Sequence, residues 1–95
     1  MFWCKTFSVK GNFVVAICDK DLLGKEIGKK MKIIVSKSFY GGEIIDDKRA
    51  IELIKRSSIC NLLGKDIIKL AIEKRFITKK NIMFIDDIPH AQIIR

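Results

Sequence analysis

Two adjacent segments near the N-terminus constrain the fold most. Trp3, Lys5, Phe7 and Val9 alternate with Phe2, Cys4, Thr6 and Ser8, the period of two that sends successive side chains to opposite faces of a strand. After Lys10-Gly11-Asn12 comes Phe13-Val14-Val15-Ala16-Ile17-Cys18, apolar without interruption, as a strand covered on both faces requires. The pair predicts a β-hairpin whose second strand is the more central. Turn length then fixes a detail: a three-residue turn sets Cys4 and Cys18 on one face, and a two-residue turn sets them on opposite faces.

Downstream, Asp19 is a candidate N-cap for a single helical turn over residues 19–25, ended by Gly24. Met31, Ile33 and Val35 alternate with Lys32, Ile34 and Ser36, predicting a third strand that runs into an irregular loop at Ser38-Phe39-Tyr40-Gly41-Gly42. Asp46 or Asp47 caps the next helix, with Ala50, Ile51 and Ile54 on its apolar stripe. A further helix is expected over about residues 64–75, with Ile67, Ile68, Ala71 and Ile72 facing the core and Asn61 upstream as a candidate cap. Residues 81–85 read as a buried strand, Asp86-Asp87 as a turn, and residues 91–94 as a short closing strand. Strands, two helices and strands in that order give a single α+β domain over residues 1–95, a mostly antiparallel sheet with two or three helices packed on one face. The echo of Asp21-Leu22-Leu23-Gly24-Lys25-Glu26-Ile27 in Asn61-Leu62-Leu63-Gly64-Lys65-Asp66-Ile67 reads as coincident turn chemistry, because the flanking elements differ.

Composition narrows the class. A chain of 95 residues holds one core, and 48% hydrophobic residues suffice to fill it. The longest apolar run falls far short of the roughly 20 residues needed to span a bilayer, so no membrane association and a cytoplasmic location are expected. Cys4, Cys18 and Cys60 include no Cys-x-x-Cys pair, so reduced, buried thiols are expected and not a disulfide framework. Joining His90 to the three as a zinc site lacks the usual close-spaced ligand pair, and no metal or other cofactor is expected. Neither a P-loop, a dinucleotide fingerprint nor His-Glu-x-x-His occurs. Lysine and arginine total 19 against 11 acids, a net charge of +8. That excess suits a polyanionic partner, although lysine enrichment with a single glutamine is also the dress of a heat-adapted surface.

Cys18-Asp19 followed by Asp21-Leu22-Leu23-Gly24-Lys25, Phe39-Tyr40 with Gly42, Asn61-Leu62-Leu63-Gly64, and the closing Pro89-His90-Ala91-Gln92 resemble, in this order, the small archaeal proteins filed as domain of unknown function 424. The resemblance spans nearly the whole chain. It implies an archaeal cytoplasmic protein with an α+β fold, and it brings no activity to carry over.

Two groups of residues are candidates for function. Lys25, Lys29, Lys30, Lys32 and Lys37 place five positive charges directly before Tyr40, Gly41 and Gly42. Charge, a stacking ring and backbone N–H groups on one loop are the ingredients of RNA binding, with Tyr40 expected to be exposed and Phe39 in the core. Against this stands the plainer reading of a solvated lysine strand whose aromatics fill the core. Pro89, His90 and Gln92 form the second group: the chain's one proline and one histidine are adjacent, as in a rigid turn presenting an imidazole, with Gln92 on the same face if the segment is extended. A structural role, the imidazole bonded to a buried carbonyl, is the alternative there. The expectation is a non-catalytic RNA- or ribonucleoprotein-binding module. Alternatives are a protein-protein adaptor, or a small enzyme using His90 with Asp86 and Asp87, which serve equally well as turn formers. The sequence does not specify an oligomeric state.

Overall fold

The computed structural model describes residues 1–30 and 32–95. Strands β1 (Phe2–Val9) and β2 (Asn12–Asp19) form the expected hairpin. Only Lys10 and Gly11 separate them, with φ of 49° and 81°, the positive pair whose twist matches a two-residue hairpin turn. Cys4 therefore pairs with Ile17 and Cys18 with Trp3, and the two thiols lie on opposite faces of the sheet. That separation keeps Cys4, Cys18, Cys60 and His90 from meeting around one ion.

After a single 3₁₀ turn at Lys20–Leu22, the chain leaves the sheet as a small ribbon, β3 (Glu26–Ile27) with β4 (Ile33–Ile34). Amide-to-carbonyl bonds from Gly24 to Val35 and from Val35 to Lys25, both 2.8 Å, extend it. The expected third strand is thus a two-residue element outside the main sheet; Met31, which began it, lies outside the described residues. A short helix α1 (Lys37–Tyr40) follows, capped by the Ser36 hydroxyl, which accepts from the Phe39 N–H at 3.2 Å.

The remaining elements are β5 (Glu43–Ile45), α2 (Asp47–Arg56), β6 (Ile59–Leu63), α3 (Lys65–Glu73), β7 (Ile82–Ile85) and β8 (Ile88–Ile94). The six main strands lie in the order β5-β1-β2-β6-β8-β7, antiparallel except where β6 runs parallel to β2. The fold is α+β. Strands β5 and β6 were missing from the sequence reading, because three and five residues hard against helices carry too short a period to register. Asn61, expected to cap a helix, is instead the middle residue of β6. Pro89 and His90, expected in a turn, lie within β8.

Helices α2 and α3 cover one face. Their buried Ala50, Leu53, Ile54, Ile67, Ile68, Leu70 and Ala71 meet Phe2, Cys4, Val15, Ile17, Cys60, Leu62 and Ala91 from the strands. Each large aliphatic side chain so buried contributes about 2 kcal/mol. The ribbon and α1 cover part of the opposite face, where Ile27, Val35 and Tyr40 pack on Ala16, Cys18 and Leu63. Asp46 caps α2 as expected, accepting from the Arg49 N–H at 2.8 Å.

Asp19 caps a helix too, but not the one it precedes. Its carboxylate accepts from the backbone N–H groups of Asp66 and Ile67, both at 2.9 Å, so it closes the N-terminus of α3 from 47 residues away. The adjacent 3₁₀ turn receives no bond from it. Among the described residues no helix is long and apolar enough to cross a membrane.

Candidate functional site

Backbone geometry around Pro89 determines how the last three strands present their side chains. Pro89 has no N–H, and its carbonyl accepts from the Gly64 N–H at 2.9 Å. In an antiparallel ladder both polar groups of a residue point the same way and neighbours alternate, so Pro89 and Ala91 turn toward β6 while His90 and Gln92 turn away. Leu63–His90 and Asn61–Gln92 are accordingly non-hydrogen-bonded pairs, whose Cα atoms approach to about 4.5 Å. Asn61 and Gln92 thus stand side by side, with His90 two residues along the same face.

That face is the one opposite α2 and α3. The ribbon covers it only in part, leaving Asn61 and His90 half-buried and Gln92 exposed. Met83, paired with His90 across β7, is 69% exposed on the same side. Among the described residues neither the two amides nor the imidazole makes a side-chain hydrogen bond, and no sealed, unpaired polar atom exists in a residue short of full exposure. Their donors and acceptors therefore reach solvent. Burial holds the His90 pKa below its ordinary 6.5, which leaves the ring neutral near pH 7, one nitrogen donating and the other accepting. The expected alternative, an imidazole locked onto a buried carbonyl, is not the arrangement found.

Phe84 is the functional candidate that sequence reading missed. Residues 81–85 read as a buried strand, yet β7 is the edge of the sheet, and Phe84 is 66% exposed. Because Phe84 pairs with Pro89, its own N–H and C=O point out of the sheet at the free edge. Phe84 lines two clefts. One, of about 260 Å³, lies between the ribbon and the β7–β8 hairpin with Lys30, Ile33 and Asp86. The other, of about 310 Å³, runs along α3 past Lys65, Lys69 and Ile72. An aromatic beside three lysines is the arrangement expected of the Tyr40 loop, found elsewhere. The signal available was Lys79-Lys80 before an apolar run ending in Asp86-Asp87, but nothing local told edge from centre.

Lys25, Lys29, Lys30, Lys32 and Lys37 are all exposed on the segment that forms the ribbon and the start of α1. Lys32 sits 3.8 Å from Glu26 across the ribbon, an exposed pair worth little. The Lys29 amide donates to the Asp86 carboxylate, so the tip of the basic segment is latched to the β7–β8 turn.

The expectation for Tyr40, Gly41 and Gly42 is corrected. Tyr40 is only 8% exposed, packed edge-on against Phe39, and burial pushes its phenol up to about 12. Phe39, expected in the core, is the more open of the two. Gly41 and Gly42 spend their amides on the Lys37 and Tyr40 carbonyls, at 2.8 and 3.0 Å. The cause is tertiary: α1 folds back on β1 and β2, which turns Tyr40 inward.

The carboxylates needed for an enzyme do not converge on His90. Asp86 is occupied by the Lys29 amide and Asp87 lies 4.0 Å from the Lys65 ammonium, while among the described residues it is burial that displaces the His90 pKa. Neither cleft beside Phe84 is lined by His90. Among the described residues no three His, Cys, Asp or Glu side chains are placed to share a metal ion.

Comparison with known proteins agrees with this fold. A family described as "Protein of unknown function (DUF424)" matches residues 7–95. The solved structure of an uncharacterized conserved protein from Methanopyrus kandleri superposes with a TM-score of 0.80 at 22% identity, over 97% of this chain and 89% of that one. No curated protein matches the chain.

Proposed function

We propose that this chain, which belongs to the DUF424 family, is a cytoplasmic, non-catalytic RNA- or ribonucleoprotein-binding module. The observation that carries the reading is Phe84, exposed at the sheet edge with Lys30 in the cleft on one side and Lys65 and Lys69 in the cleft on the other. A ring open to solvent offers a stacking surface to an unpaired base, and flanking ammonium groups neutralise the phosphates on either side of it. The net charge of +8 raises the rate and strength of encounter with any polyanion. The latch from Asp86 to the Lys29 amide keeps the basic ribbon tip next to that ring.

The test is fluorescence anisotropy of labelled single-stranded RNA across a salt series. Phe84→Ala should weaken binding about tenfold, in line with the loss of one stacked base, and leave the salt slope unchanged. Lys29→Glu/Lys30→Glu/Lys32→Glu should weaken it further and flatten the slope. Binding that ignores both variants and disappears by physiological salt would mean that the charge is surface chemistry alone.

A protein partner is the second reading, favoured by the outward N–H and C=O of Phe84, which offer a strand edge for pairing. Ribonuclease treatment of complexes purified from the source cells separates the two. Complexes held by RNA dissociate, and those held at the β7 edge persist.

A further inference from the structure

We propose that Asn61, His90 and Gln92 form a reading site for the edge of an unpaired nucleobase, on the open face of β6, β8 and β7. The inference rests on the RNA-binding reading above and adds a second contact surface, on the face of the sheet opposite the Phe84 side chain. The register places Asn61 directly across from Gln92 and His90 beside them on one face, so two planar amides and an imidazole converge without a loop having to order. Each amide carries both donors and an acceptor, and a neutral imidazole carries one of each. This mixed set complements the alternating donors and acceptors of a base edge and gives a phosphate, which only accepts, no special advantage.

The surroundings fit the same ligand. Met83, exposed across from His90, offers a polarisable apolar surface for a ring. On the other side of Asn61, β2 contributes Ala16, which the ribbon and α1 cover completely, so the site opens toward the exposed Gln92 and Met83. No acidic side chain is paired with the three in the ladder. The basic ribbon tip, tied through Lys29 to Asp86, puts phosphate-binding charge at the end of the same hairpin. Burial keeps His90 neutral, as base-edge recognition near pH 7 requires.

The experiment measures anisotropy of ten-nucleotide A, C, G and U homopolymers with wild type, Asn61→Leu, His90→Phe and Gln92→Met, each checked for native circular dichroism. Wild type should favour one base about tenfold or more over the weakest. Each variant should bring that ratio toward one while keeping the wild-type salt slope, whereas the triple lysine variant should weaken all four polymers and keep the ratio. Equal binding of all four polymers by wild type, or a preference that survives in folded variants, overturns the reading site and leaves the RNA module standing. No binding of any polymer overturns both. Should the variants misfold, the wild type decides by NMR: added nucleoside monophosphates should shift the side-chain NH₂ signals of Asn61 and Gln92 and the ring signals of His90. Shifts confined to lysines and backbone elsewhere overturn the proposal.

Discussion

The carboxylate of Asp19 occupies the space that a side chain at Gly64 would need. A Cβ placed on Gly64 would fall 2.7 Å from Asp19 Oδ1, and Gly64 itself has φ of 123°, a conformation closed to most L-residues. The same glycine donates to the Pro89 carbonyl, so one position joins β2, α3 and β8.

A double-mutant cycle tests that relationship. Gly64→Ala should destabilise the fold by about 2–3 kcal/mol, combining backbone strain with the clash. Asp19→Ala should cost about 1–2 kcal/mol through loss of the α3 cap. Because removing Asp19 also removes the obstruction, the double variant should lose less than the sum of the singles in urea unfolding. Strict additivity would mean that the two residues act independently.

Asp19 and His90 give stability opposite dependences on pH. Burial, opposed by the two backbone N–H groups, raises the Asp19 pKa above its ordinary 3.8. The folded state then holds that proton more tightly than the unfolded chain, so its contribution falls as pH rises from 3.8 through the raised value. Burial lowers His90 below 6.5. Its contribution is therefore complete above 6.5 and lost as pH falls through the lowered value. NMR titration should find the Asp19 carboxyl midpoint above 3.8 and the His90 midpoint below 6.5, and His90→Phe should flatten the second dependence.

All three cysteines are buried and reduced, and burial above all pushes each thiol up to about 12. Since the thiolate is the reactive form, native protein at pH 8 should take up a thiol reagent at less than about a hundredth of the rate of free cysteine. All three should label promptly in denaturant. Rapid labelling of native protein would show that the sheet opens locally.

Lys10 adopts a positive φ of 49° in the β1–β2 turn, where asparagine followed by glycine is the preferred pair. Lys10→Asn should raise stability by about 0.5–1 kcal/mol. An unchanged urea midpoint would show that the turn is no source of strain.

Locally encoded features were legible in the sequence. The first hairpin followed from alternation and a continuous apolar run, the cap of α2 from the Asp46-Asp47 pair, and the inner faces of α2 and α3 from a spacing of three and four residues. His90 and Gln92 fall on one face because a strand has a period of two, although the sequence placed them in and beside a turn. What no local pattern carries is which strand neighbours which. Asn61 became a strand residue beside Gln92 only because β6 runs between β2 and β8. Asp19 caps α3 because the same pairing brings the end of β2 to the start of that helix. Phe84 is open because its strand is outermost, and Tyr40 is closed because α1 folds back onto the sheet. Periodicity tells which side chains share a face; only the order of strands, set by long-range burial, decides which faces and edges remain for a ligand.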